Sequence, residues 1–346
     1  SSATYLAMGP GPNTRGTCAI IPPSMRTTRR QFLLDSMLAT VALAAGCRSG
    51  TESASQAPAY IPTSDRTVLQ TLAGVPATDG AGVRLTRVIG QSALRNLDPF
   101  LMLDRFHSDD PNAYIAGFPS HPHRGFETVT VMLDGHMRHR DSRGNSGLIR
   151  GGGSQWMTAG RGIIHSEMPE QVQGLMSGFQ LWLNLPAKEK MCPAAYQDLG
   201  PEQLAESTLS SAGSRVRVIA GRPNGLAGPV RERPTQPLLF TLTLEDDQPF
   251  ELELPEGHTS FAFVYGGEVS FGPEAKPKPV RAGHLAIFSP GKRLRVRATN
   301  QRSAVLLAAA KPLREPIIQR GPFVMNTEAE IHQAIQDYRS GVLDRG

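Results

Sequence analysis

Phe118-Pro119-Ser120-His121-Pro122-His123-Arg124-Gly125-Phe126-Glu127-Thr128-Val129-Thr130 opens a stretch of chain that closes at His165-Ser166-Glu167. Each end carries two metal-type ligands spaced i, i+2. On a β-strand that spacing puts both side chains on one face, because side-chain direction alternates with a period of two. Two such pairs on neighbouring strands can close four ligands around one ion. The spacing therefore predicts a mononuclear metal site inside a β-barrel.

The rest of the chain suits that setting. It has 346 residues, enough for two domains plus extensions, and 35 Gly and 28 Pro punctuate short strand-like runs. Phe126–Leu133 is strongly strand-like, Asp134-Gly135 is a hairpin turn signal, and His136–Asp141 returns. Turns recur every eight to twelve residues, which predicts an all-β sandwich or small barrel. A second strand set begins near Arg215 without the histidine pairs, and His258 and His284 there are read as turn or edge residues. Lys188–Ser214 is less regular and is expected to be partly helical around Pro201–Leu209. The tail carries a helix: Thr327 and Glu330 make a capping box, Ile331, Ala334, Ile335 and Tyr338 form an apolar face, and Gly341 stops it. The formal net charge of +5 comes without a dense Lys/Arg tract or an aromatic-studded basic strand, so no nucleic-acid partner is expected.

The N-terminal region reads as an address. Met25-Arg26-Thr27-Thr28-Arg29-Arg30-Gln31-Phe32 leads into an apolar run and then Leu43-Ala44-Ala45-Gly46-Cys47. A charged start, a short apolar centre and a small-residue exit describe a secretory signal. The paired arginines resemble a twin-arginine export signature, and the exit resembles a lipobox with Cys47 as the lipidated residue. Residues 1–24 are then upstream sequence, 25–47 the signal and 48–66 a flexible tether rich in Ser, Ala, Pro and Thr. The expected location is the periplasm or cell envelope, with the membrane reached only through the lipid. Of the three cysteines, Cys18 and Cys47 fall in these segments, and Cys192 is read as a packing residue.

Imidazole and carboxylate together suit iron, manganese, nickel, copper, cobalt or zinc. Spacing alone leaves the fourth ligand open. His121, His123 and His165 can be joined by Glu167, or by Glu127, which stands at the position that follows His-x-His-x3 in a general cupin motif. His136 and His139 lie three apart and cannot share a strand face, so both are expected outside the site. His107 sits in a polar loop and reads as surface.

The two quoted segments, together with Gln155-Trp156-Met157-Thr158-Ala159-Gly160-Arg161-Gly162-Ile163-Ile164, Gln180-Leu181-Trp182-Leu183-Asn184-Leu185 and Gly321-Pro322-Phe323-Val324-Met325-Asn326-Thr327, resemble the signatures of the pirin family. The resemblance covers most of Thr67 to Arg339. It implies two tandem cupin barrels (double-stranded β-helix, or jelly-roll), at 67–200 and 201–346, with metal only in the first and a short α-helix at the end. It places the ligands at His121, His123, His165 and Glu167, and iron(II) is the metal expected first. Some family members act as quercetin 2,3-dioxygenases, so the implied partners are a phenolic or flavonol substrate and dioxygen; the chain is expected to be a monomer. On that reading the metal acts as Lewis acid on the 3-hydroxyl and 4-carbonyl oxygens of the flavonol, and Glu167 takes the hydroxyl proton. Ring opening then releases carbon monoxide, with Phe118, Met157 and Gln180 on the pocket wall. The alternative reading is a non-catalytic metal-binding bicupin that serves as a protein-binding or redox-sensing module. Two features depart from the family pattern: Gly151-Gly152-Gly153, expected to alter loop shape rather than ligation, and the export signal, which argues against a role in transcription.

Overall fold

The computed structural model describes residues 65–345, apart from 231, 300 and 301. The expected signal at 25–47, with Cys47, and the upstream residues 1–24 lie outside the described residues.

The strands form two barrels, each built from a seven-stranded and a four-stranded sheet. In the first barrel the large sheet runs Ala195–Leu199, Ser154–Thr158, Phe126–Asp134, Met176–Asn184, Phe100–Ser108, Val83–Ile89, Val75–Asp79. Its small sheet runs Phe118–His123, Ile163–Pro169, His136–Asp141, Ser146–Arg150. The second barrel repeats the plan, with Thr259–Gly266, Ser303–Ala310 and Leu238–Leu244 at the centre of its large sheet. The ladders are antiparallel.

Alternation along the central strands decides what fills each barrel. Val129, Val131, Phe179 and Leu181 of the first barrel join Leu239, Phe261, Phe263 and Leu306 of the second in one buried cluster between the two large sheets. Within it Phe100 meets Phe261 edge-on, with ring centroids 4.8 Å apart. The intervening residues point the opposite way. In the second barrel these are Phe240, Leu242, Ala262, Val264 and Leu307, which close a dry core with Phe271, Leu294 and Val296 from the small sheet. In the first barrel the same positions hold Thr128, Thr130 and Gln155, all buried. Buried polar groups need partners, so this polar lining marks the first barrel as the one built around something other than packing.

Sheet membership does not follow chain order. Val68–Ala73, at the start of the described chain, pairs with His284–Phe288 on the edge of the second barrel's large sheet. The C-terminal segment makes the reverse crossing. After the hairpin of Ile318–Arg320 and Phe323–Met325 comes the helix Glu328–Arg339, and Phe323, Met325, Ile331, Ala334 and Leu343 pack against Ile164 of the first barrel. The helix begins at its capping box, with the Thr327 hydroxyl accepting from the Glu330 N–H and the Glu330 carboxylate from the Thr327 N–H. Ile331 and Ala334 are buried, Tyr338 lies at the rim with 41% exposure, and Gly341 takes φ +65° just beyond the end.

Pro201–Leu209 corrects the helical expectation. Only Pro201–Gln203 forms a 3-10 turn, and Ala205–Thr208 is an edge strand paired with Arg215–Ala220. Cross-strand pairing overrides local propensity here, with Glu206 directly opposite Arg217 and accepting from its Nε at 2.8 Å.

Candidate metal centre

His121 and His123 leave one face of the Phe118–His123 strand, and His165 stands directly opposite His121 on Ile163–Pro169. The three ring centroids are 4.4–4.9 Å apart. A ligand atom of each lies within 4.8 Å of the others, and among the described residues this is the one such group of His, Cys, Asp and Glu side chains. All three rings are buried. Burial, the largest cause, holds each imidazole below its ordinary pKa, and repulsion from neighbouring histidines adds to the effect at His123 and His165. Neutral imidazoles with free lone pairs are what a metal requires.

The hydrogen bonding prepares the same outcome. His121 Nδ1 sits 2.8 Å from the Pro119 carbonyl, which can only accept, so Nδ1 carries the proton and Nε2 keeps its lone pair. That Nε2 faces His123 Nε2 at 3.0 Å. The Nε2 of His165 is buried with no hydrogen-bond partner among the described residues. Lone-pair nitrogens converging in a buried pocket are costly unless something electrophilic sits among them. The donor set fits a divalent transition ion.

Glu167 follows His165 on the same face but stands outside the group of three. Its carboxylate accepts from Thr130 Oγ1 at 2.9 Å and from Gln180 Nε2 at 3.0 Å. Burial pushes its pKa up from 4.5 to about 7, against the lowering effect of those two bonds. A carboxyl group with a raised pKa in the folded state holds a proton that the unfolded chain releases. In the metal-free protein this stability is complete below pH 4.5 and is lost as pH rises towards about 7. The loss amounts to about 3 kcal/mol. The buried histidines, held below their ordinary pKa, pull stability the other way over the same window, so the contribution is read as a difference: in urea denaturation of the metal-free proteins, the stability of wild type relative to Glu167→Gln is expected to fall by that amount between pH 4.5 and about 7.

Glu127 belongs elsewhere. It shares its strand face with Val129 and Val131, opposite to Thr130, and so points to the seam between barrels. There it accepts from Thr158 Oγ1 at 2.7 Å and lies 3.5 Å from Arg233 Nε, whose guanidinium covers the Trp156 ring.

The remaining expected residues divide. Gln180 is in the site as the Glu167 donor. Phe118, opposite Glu167 in the ladder, lines an apolar crevice with Val83, Phe106, Tyr114, Met137 and Met176. Met157 is fully buried and packs with Ala159 and Ile163, the residue opposite His123. His107 is exposed and bonds Ser177. His136 and His139 both stand outside the ligand group, as expected, but they are not alike. His136 does face out, but the two-residue alternation that removes it turns His139 inward, opposite Glu167 and next to His165. Thr130 was missed, although a polar residue on the inward face of an otherwise apolar strand is a signal visible in the sequence.

Comparison with known proteins agrees with this geometry. The Pirin family model matches residues 82–183, and the model of the Pirin C-terminal cupin domain matches 239–344. A Pseudomonas aeruginosa protein named "Putative quercetin 2,3-dioxygenase" is 52% identical over 283 residues, covering 80% of this chain and 98% of its own. Human pirin is 42% identical over 265 residues, covering 76% of this chain and 89% of its own. The crystal structure of a quercetin 2,3-dioxygenase from Acinetobacter baumannii, 34% identical, aligns with a TM-score of 0.74 over 80% of this chain and 98% of that one. With a histidine cluster in a polar-lined first barrel and a dry second barrel behind it, the chain belongs to the pirin family of two-cupin proteins.

Proposed function

We infer that this protein is a metal-dependent dioxygenase that opens a flavonol such as quercetin with dioxygen. The observation that carries the reading is the buried three-histidine cluster with a buried carboxyl group beside it. The likeness to proteins named for quercetin dioxygenation supports the substrate class. His121, His123 and His165 would hold one divalent ion, iron(II) first, with Glu167 as the fourth ligand. When bound, the ion supplies Lewis-acid polarisation of substrate oxygens and one-electron chemistry toward dioxygen.

The chain supplies the rest. Glu167, the carboxylate beside the three imidazoles, is placed to accept the flavonol hydroxyl proton. Thr130 and Gln180 fix its two oxygens and so aim the acceptor. Phe118, opposite Glu167 in the ladder, and Gln180, bonded to it, are the expected wall residues nearest the carboxylate. The export-type segment at 25–47 supports a setting in the cell envelope, with lipid on Cys47 as the anchor and a monomer as the working form.

The test is oxygen uptake by protein loaded with iron(II) under anaerobic conditions and then offered quercetin and other phenolics. Oxygen consumption with carbon monoxide release is expected, abolished by chelation and restored by metal. A metal-loaded protein that consumes no oxygen with any of them overturns the enzyme and leaves a metal-binding module.

A further inference from the structure

His139 is 1% exposed, on the His136–Asp141 strand, and takes no part in the three-histidine group. Its Nδ1 lies 3.3 Å from the Nδ1 of His165. The two rings are 5.1 Å apart between centroids, and His139 also packs on Tyr196 at 4.7 Å. A neutral imidazole carries a single ring proton. If His165 gives Nε2 to a cation, its proton must be on Nδ1, and that N–H then points at His139 Nδ1. His139 must accept there and keep its own proton on Nε2.

We propose that His139 is a positioning residue for the metal centre, the hydrogen-bond acceptor that fixes the tautomer and ring plane of His165. The role rests on the metal-dependent reading of the three-histidine cluster. Ligating histidines ordinarily donate their second N–H to a carboxylate, a carbonyl or water, and losing that partner costs about 10- to 100-fold in metal affinity. Here the acceptor is another imidazole, wedged between His165 and Tyr196 with its ring tilted 48° and 59° to theirs. Its place in the ladder, directly across from Glu167, lets one strand steady both residues of the second ligand pair.

The test compares His139→Asn, whose amide oxygen can stand where Nδ1 stands, with His139→Phe, which keeps a ring against Tyr196 but has no acceptor. Each protein is loaded with cobalt(II). Affinity is read by competition with a chromophoric chelator, and the ligand field by the visible spectrum. His139→Phe is expected to lose about 10- to 100-fold in affinity and to shift the cobalt bands, while His139→Asn keeps both near wild type. If Phe is not accommodated, His139→Ala titrated with free imidazole takes its place, and added imidazole is expected to restore binding. A variant without an acceptor that binds cobalt as tightly as wild type with unchanged bands overturns the role, and so does failure of both Asn and imidazole to rescue. Wild type that binds no cobalt(II) at all overturns the metal centre itself.

Discussion

Glu167→Gln is expected to cut flavonol turnover by about 10²- to 10⁴-fold, the usual contribution of a placed general base, while a divalent ion stays bound to His121, His123 and His165. The substitution is chosen for what it leaves alone. Glutamine has nearly the same shape as the protonated acid. Its carbonyl can accept from Gln180 Nε2, and its amide can donate to Thr130 Oγ1, so both present contacts of the carboxyl group have a counterpart. The ability to accept a proton is what disappears. Metal content by elemental analysis and oxygen uptake with quercetin, measured on the same preparation, separate lost chemistry from lost metal. A second signature comes from pH. Burial raises the Glu167 pKa in the metal-free protein, and a cation beside it lowers it again, so in the loaded protein the carboxylate is ionised and available as base. The wild-type rate is expected to fall on the acid side as Glu167 takes up a proton, and the residual rate of the variant is expected to lack that limb. Turnover unchanged with metal retained would remove Glu167 from the reaction.

The site was legible where a local rule governs it. Two i, i+2 pairs are a statement about strand faces, and the structure brings His121, His123 and His165 together on the facing strands the spacing implies. The same rule decides Glu127, since counting by two from Glu127 reaches Val129 and Val131, whose faces lie against the second barrel. The rule also separates His136 from His139. It shows that they cannot face the same way, which leaves one of them inside. Partners, in contrast, were not legible. Nothing in Val68–Ala73 says that it joins a sheet whose other strands begin more than a hundred residues later, because alternation encodes a face and not a neighbour. Pro201–Leu209 fails for the related reason that an edge strand takes its conformation from the strand it meets. The apolar filling of the second barrel could be read from its sequence, since Phe240, Leu242, Val264 and Leu307 occupy positions that the first barrel gives to threonine and glutamine.

The long-range clasp yields the other large effect. Arg124, next to His123, is 4% exposed and tied to the C-terminal segment at almost every polar atom. Its guanidinium reaches Asp337 Oδ2 at 2.7 Å and the Leu343 carbonyl at 3.5 Å, and its Nε donates to the Arg161 carbonyl, four residues before His165. Its backbone exchanges bonds with Pro322 and Val324, while Lys190, buried as well, donates to the Gly125 and Val324 carbonyls at 2.7 and 3.0 Å. The approach is close enough that a Cβ on Gly125, which has φ +90°, would sit 2.0 Å from the Val324 carbonyl oxygen. Arg124 therefore pins both metal-side strands to the helix Glu328–Arg339. Arg124→Met keeps the length and apolar stem but strands two buried carbonyls, and is expected to cost about 3 kcal/mol in the metal-free protein. Asp337→Asn should cost less, about 1 kcal/mol, because the Asp337 side chain is 21% exposed and water can replace part of what it loses. Urea denaturation of the two single variants and the double variant measures the coupling. The ion pair is expected to appear as a double variant less destabilised than the sum of the singles, and strict additivity would show that Arg124 acts through the carbonyls alone. Because the same residue separates His123 from the clasp, Arg124→Met is also expected to release bound metal faster than Asp337→Asn, read by chelator-driven loss from the loaded protein. Equal release rates at unequal stabilities would mean that the clasp holds the fold without holding the ligands.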